Sequence, residues 1–217
     1  MKKFVVLALC LVIFTTGAFA MDRAVGGGIM FNSGSTLGQY KESEPGFSYT
    51  EDWTLTRTGF GAFAFFGLGR FWEFNLAFMY KNPQTFSYES TYTYMGVTET
   101  EKGTETNLDN WLEGTGALQL GVYFKYPIPL SNMFVFFPTG GVDLEISTNT
   151  DKGTQGFSWW HDLWIRGGLG LDVFFTEKLF LRTHLIYGAA IPIGGETEMG
   201  LRFGHGFLFK AGIGFML

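Results

Sequence analysis

The three histidines are the side chains best suited to acid–base or metal chemistry, and their spacing gives them few partners. His161 stands beside Asp162, a His–acid pair by sequence. On an extended strand, however, adjacent side chains point to opposite faces and do not meet. His184 lies two residues after Arg182, and His205 is flanked by Gly204 and Gly206. No two histidines are close enough in sequence to suggest a shared metal ion, and none begins a His-x-Ser pair. The runs Gly26-Gly27-Gly28 and Gly194-Gly195 lack the following helix and Lys-Ser/Thr of a phosphate loop. Glycines of this kind instead relieve crowding and let a sheet bend sharply. The single cysteine, Cys10, excludes a disulfide scaffold and a cysteine-based zinc site. The expectation is no catalytic residue, no metal and no cofactor.

The elements that carry these residues are strands with two unlike faces. From Phe71 to Lys81, Trp72, Phe74, Leu76, Phe78 and Tyr80 share one face, while Glu73, Asn75, Ala77 and Met79 share the other. The same alternation recurs. Leu118, Leu120, Val122, Phe124 and Tyr126 oppose Gln119, Gly121 and Lys125. Phe134, Phe136, Val142, Leu144 and Ile146 oppose Asp143 and Glu145. Leu163, Ile165, Leu169, Leu171 and Val173 oppose Asp162, Arg166 and Asp172. Leu179, Leu181, Leu185 and Tyr187 oppose Arg182 and His184, and Phe207 to Leu217 oppose Lys210, Gly212 and Gly214. A weaker first strand holds Val25, Ile29 and Phe31, and Trp53 to Phe66 makes a second, with Arg57 on its polar face.

This predicts eight strands joined by connections at 34–52, 67–70, 82–112, 127–132, 147–160, 176–178 and 190–204, long and short in strict alternation. The fold class that follows is all-β: an eight-stranded antiparallel up-and-down transmembrane barrel, with long extracellular loops and short periplasmic turns. Closure leaves no unpaired backbone edge in lipid. A soluble barrel would carry a charged outer face, whereas charged residues make up only 16% of this chain and the polar face is mostly Gly, Ala, Thr and Ser. Small side chains suit a narrow lumen that eight strands leave nearly full.

The first twenty residues read as an export signal. Lys2 and Lys3 precede an apolar run from Phe4 to Phe14, and Ala18-Phe19-Ala20 is a small-x-small cleavage site. Eleven apolar residues are too few to span a bilayer as a helix. The expected domains are a signal peptide at 1–20 and a barrel at 21–217, placed in the outer membrane of a diderm bacterium. The mature chain then carries 13 basic and 20 acidic residues, net −7, which argues against a nucleic-acid partner.

Projected onto such a barrel, the lumen charges fall into two tiers. Glu73, Lys125, Asp172, Arg182 and Lys210 form the lower, and Arg57, Asp143, Glu145, Asp162 and Arg166 the upper. Enclosed charges are costly unless paired, so opposite signs at one height predict ion-pair networks that plug the lumen. Lys125, Arg182 and Lys210 are expected to pair with Glu73 and Asp172. The other face supplies an aromatic girdle: Trp72, Tyr126 and Phe215 at the short-turn ends, and Trp53, Tyr80, Trp111, Trp159, Trp160 and Tyr187 near the long loops.

The last strand, HGFLFKAGIGFML, resembles the terminal assembly signal of outer-membrane barrels in Lys210, Gly212, Phe215 and Leu217, although that signal usually ends in an aromatic. The chain resembles the small eight-stranded outer-membrane families typified by OmpX, the membrane domain of OmpA, and OmpW. The resemblance implies contact with outer-membrane lipid and with a barrel assembly machinery. The loop from 82 to 112 alternates Phe86, Tyr88, Tyr92 and Tyr94 with Ser, Glu and Thr, so strand pairing is expected to continue above the membrane, as in the protruding sheet of the OmpX type. Its second half is acidic, which suits a cationic or protein partner, such as a host or cell-surface protein. The expected role is that of a monomeric, non-enzymatic surface interaction protein. The alternative is a narrow porin-like channel or an OmpW-like passage for small or apolar molecules, lined by Ile29, Phe63, Met79 and Trp164.

Overall fold

The computed structural model describes residues 23–82, 85–106, 115–149, 158–193 and 201–217. The expected export signal and Trp111 lie outside them. Every described element is a strand: β1 (Arg23–Glu44), β2 (Phe47–Leu68), β3 (Trp72–Lys81), β4 (Thr85–Tyr94), β5 (Val97–Thr106), β6 (Thr115–Lys125), β7 (Ile128–Pro129), β8 (Phe134–Asn149), β9 (Ser158–Phe174), β10 (Leu179–Pro192) and β11 (Leu201–Met216). All pairings are antiparallel, and they pass from β1 through β2, β3, β6, β8, β9, β10 and β11 back to β1. The strands of this circuit have no free edge along their shared length, which satisfies their backbone groups internally.

Alternation sets the two sides of the circuit. In β3, Glu73, Asn75, Ala77, Met79 and Lys81 are buried, and Phe74, Leu76, Phe78 and Tyr80 are exposed. The large outward side chains are open: Ile29 is 70% exposed, Phe78 61% and Ile213 59%, while Glu73 and Glu145 are at 0%. Apolar outside and charged inside is the reverse of a soluble domain.

The structure departs from the periodicity in its strand count. Eleven strands are present where eight are expected, and the extra length lies in segments expected as connections. Residues 34–52 form no loop. β1 and β2 run on as one hairpin of paired residues from Arg23–Leu68 to Glu44–Phe47, turned by Pro45-Gly46. β4 and β5 lie outside the circuit, β4 pairing with the upper half of β2 and β5 with β4. Their turn, Met95-Gly96, has positive φ at both residues (47° and 83°), as a tight two-residue hairpin requires. Lastly, β7 is a two-residue bridge on β8.

Candidate functional site: the ion-paired interior and the projecting sheet

Among the described residues, strands β3, β6, β8, β9, β10 and β11 aim ten Asp, Glu, Lys, Arg and His side chains into the circuit, each less than a tenth exposed. Arg182 is the hub of the lower group. It donates from Nε and Nη2 to both oxygens of Asp172, at 2.7 and 2.6 Å, and from Nη1 to Glu73 Oε2 at 2.6 Å. The bidentate pairing uses the planar guanidinium in the geometry that suits a carboxylate best. Lys125 Nζ lies 3.6 Å from the same Glu73 oxygen, and Asn75 donates to Glu73 Oε1 at 3.0 Å. The Arg182 guanidinium also lies over Phe65, Phe180 and Phe137, at 4.6, 4.8 and 5.6 Å from the ring centroids.

Lys210 corrects one expectation. Its partner is Asn75 Oδ1 at 3.3 Å, not Glu73 or Asp172, and its ammonium sits over Tyr123 and Phe63 at 4.9 and 5.5 Å. The register explains this. Lys210 lies opposite Met30 and His184, two residues before Gly212, which faces Arg182.

The upper group splits into two clusters. Arg166 Nε stands 2.6 Å from Asp143 Oδ2, and its guanidinium lies 4.2 Å over Trp164. Tyr123 donates to Asp143 from the other side. Lys81 forms an ion pair with Glu145, which also accepts from Gln119 Nε2 at 2.7 Å. Lys81 is absent from the expected tiers, although its odd position puts it on the face of Glu73 and Met79. Arg57 and Asp162 are half-buried and flank a small 40 Å³ recess with Asn32, Lys81 and Trp164.

His184 packs edge-on against Phe137, with centroids 5.1 Å apart, and neither ring nitrogen has a hydrogen-bond partner among the described residues. Phe137 reaches it across Gly170, where a Cβ would fall 2.2 Å from the ring, so only glycine fits there. His205 lies on the outer face against Tyr187 and Phe203. Phe63, Met79 and Trp164 are buried inside, whereas Ile29 points outward and lines no passage. Among the described residues no three His, Cys, Asp or Glu side chains are placed to hold a metal ion.

On the outer side, Trp72 meets Phe124 edge-on at 5.5 Å, Tyr126 stacks with Phe71, and Phe215 lies under Lys178. Tyr80 pairs with Phe60, and Tyr187 with Phe207 at 4.8 Å. Trp159 and Trp160 are placed by register alone, opposite Thr148 and Ser147. Trp53 does not belong to this belt. It is 8% exposed, on the face continuous with the interior, because its ring lies flat against Gly38 and beside Phe86. Within the expected assembly signal, Lys210 and Gly212 face inward, and Phe215 and Leu217 face out.

Above the circuit, the upper halves of β1 and β2 join β4 and β5 in a four-stranded projecting sheet. Residues directly opposite each other share a face, so the register sorts its side chains. Glu44–Phe47–Tyr94–Val97, Glu42–Tyr49–Tyr92–Glu99, Tyr40–Glu51–Ser90–Glu101, Gly38–Trp53–Tyr88–Gly103 and Thr36–Leu55–Phe86–Glu105 are rows of the face continuous with the interior. This inward face is aromatic and acidic and holds no Lys or Arg in these rows. The opposite face is rich in Thr and Ser, cross-linked by hydroxyl pairs such as Ser87–Thr104 at 3.2 Å and Thr93–Thr98 at 3.0 Å. It also carries the exposed Lys102–Glu89 ion pair. On the inward face Tyr49 and Tyr92 stack at 5.9 Å. Tyr49 donates to Glu51, and Tyr92 to Glu101 at 2.8 Å; each bond to a carboxylate raises the phenol above its ordinary value.

No protein-family model matches the chain, and no curated protein matches it. Among solved structures it is similar to the outer membrane protein OprG from Pseudomonas aeruginosa, with 17% identity over 91% of this chain and 96% of that one, TM-score 0.43. It is also similar to the N-terminal β-barrel domain of Pseudomonas aeruginosa OprF (14% identity, 86% and 97% covered, TM-score 0.38) and to the outer membrane protease OmpT from Escherichia coli (7%, 90% and 96%, TM-score 0.34). At these scores the fold and the functional reading rest on the strand pairings and side-chain chemistry of the chain itself.

Proposed function

We propose that the protein is an integral outer-membrane β-barrel of eight membrane strands, exported by its N-terminal signal, with a closed lumen and a projecting sheet that serves as its extracellular working surface. The observation that carries this reading is the inverted polarity of the strand circuit. Leu, Ile and Phe side chains occupy its exposed side, and ion-paired Arg, Lys, Asp and Glu its enclosed side. Water would leave the first unsatisfied, whereas a bilayer matches them. The hairpins that extend the strands all leave from one end of the circuit, and the short connections from the other, so the projecting sheet belongs outside the cell. Arg182 on β10 reaches Glu73 on β3 across the lumen, and Lys81 on β3 reaches Glu145 on β8 past β6 at a greater height, which favours a plug over a passage. In this reading the outward Phe215 and Leu217 of the last strand are the side chains presented to an assembly machinery.

The test combines fractionation with conductance. The protein should sediment with outer membranes after urea extraction and migrate differently on gels before and after heating. In planar bilayers it should give no steady single-channel steps. Extraction by urea would remove the membrane reading, and steady channels of uniform size would remove the closed lumen.

A further inference from the structure

We propose that the inward face of the projecting sheet is a docking surface for a basic, extended polypeptide segment. The proposal rests on the outer-membrane reading only for the side of the membrane from which that segment arrives.

The face has no partner element among the described residues, and its chemistry selects the occupant. Tyrosine rings lie along its middle strands, Tyr49 on β2 and Tyr92 on β4, and carboxylates stand on the flanking strands, Glu42 on β1 with Glu99 and Glu101 on β5. A Lys ammonium or Arg guanidinium is attracted to the face of a tyrosine ring and bonds to a carboxylate beside it, so one cationic side chain satisfies both. The nearby lysines, Lys41 and Lys102, lie on the opposite face, and the arginines of the inward side, Arg57 and Arg202, stand at register positions below the Tyr49–Tyr92 row, opposite Gly34 and Gly38.

Like charge argues against the other occupants. A second copy of the chain would bring the same carboxylates against these, and like charges placed opposite each other are destabilising. Polyanions are repelled by the same field. The spacing favours an extended chain: along β5 Glu101 follows Glu99 by two residues and Glu105 follows by four more, multiples of the two-residue interval at which an extended peptide presents side chains to one side.

The test uses the purified full-length protein in lipid nanodiscs and two synthetic probes, a short peptide alternating Lys with Ser and its counterpart alternating Glu with Ser, followed by anisotropy and by Trp53 fluorescence. The Lys peptide should bind, weakening steeply with added salt, and the Glu peptide should not. Replacing Glu42, Glu99 and Glu101 together by Gln should weaken binding about tenfold, three exposed ion pairs' worth. Tyr49→Leu with Tyr92→Leu should weaken it while leaving the salt dependence in place. Glu89→Gln, on the opposite face, should change nothing. Equal binding of both peptides, an unchanged affinity in the triple Gln variant, or an equal loss in Glu89→Gln would overturn the proposal. The heat-dependent gel shift of the same samples reports the barrel separately, so loss of binding and loss of the membrane fold are told apart.

Discussion

Arg182 and Leu181 are neighbours in sequence that answer to different solvents. Arg182 holds Asp172 and Glu73 inside the circuit, so Arg182→Leu leaves two enclosed carboxylates short of their shared cation. Breaking a buried pair in this way costs about 3–5 kcal/mol. The variant should insert in membranes yet unfold at lower urea or temperature, and adding Asp172→Asn should recover part of the loss. Leu181 points the other way, opposite Ile213 and Val173. On the proposed membrane reading Leu181→Arg puts a charge on the lipid side near the short-turn end of β10, at a cost between the about 0–1 kcal/mol of the interface and the about 2–4 kcal/mol of the midplane, and should reduce the amount of assembled protein in the outer-membrane fraction. If the two phenotypes are exchanged, the inward and outward assignments of β10 are reversed. Lys81→Met should resemble Arg182→Leu in kind, because it removes the ammonium that pairs with the enclosed Glu145. Lys81 escapes a reading of the sequence because it ends its strand, where a lysine looks like the first residue of a loop. Alternation alone assigns it correctly. Trp53 misleads for the opposite reason: an aromatic near a strand end suggests a membrane interface, and only the glycine across from it reveals that the ring lies inward.

The strands of the closed circuit were legible because their two faces differ in chemistry. β3, β6, β10 and β11 put large apolar residues on one face and most of their charged, polar and small residues on the other, and the structure follows that division, with Met79, Phe180, Ile186 and Leu208 as apolar residues of the inner side. The upper halves of β1 and β2 were not legible, because neither face there is aliphatic. Tyr, Trp and Glu alternate with Ser, Thr and Lys, which reads as a polar loop until pairing partners are known. Ion-pair partners were hidden too, since strand alternation fixes a side chain's face but not which residue it meets across the lumen. Two predictions belong to this scale. Gly28 sits in the seam between β1 and β11, where a Cβ would lie 2.0 Å from the Ala211 carbonyl oxygen and 2.3 Å from Gly212 Cα. Gly28→Ala should therefore force the seam apart and reduce the heat-shifted gel species, whereas Gly46→Ala, in the open hairpin turn, should not. In the projecting sheet, the Tyr92–Glu101 bond needs a neutral phenol. It is intact below the ordinary tyrosine value of about 10 and is lost as pH rises through the raised value. Absorbance titration of the phenols should lose a late-ionising component in Tyr92→Phe.

For the whole molecule, the sidedness of the hairpins makes a direct prediction. Lys102, on β5, belongs to the projecting sheet, and Glu177 lies in the short connection between β9 and β10. In intact cells, Lys102→Cys should react with a membrane-impermeant thiol reagent and Glu177→Cys should react only after permeabilisation. The reverse pattern would show the barrel to be inserted the other way up. The 22 residues of β1 and the 22 of β2 also have a mechanical consequence. At about 3.3 Å per residue each is roughly 70 Å long, about twice the thickness of the hydrocarbon layer. On the proposed outer-membrane reading, the same two strands anchor in the membrane wall and form the base of the projecting sheet. A pull on that sheet directed along the strands loads the β1–β2 and β1–β11 ladders lengthwise, so many hydrogen bonds resist together and none can yield in turn. A pull across the sheet reaches only the β4–β5 hairpin, which can peel from β2 bond by bond while the wall below stays closed. On that reading the molecule is a stiff post with a detachable flap, strong to a load in one direction and compliant in the other.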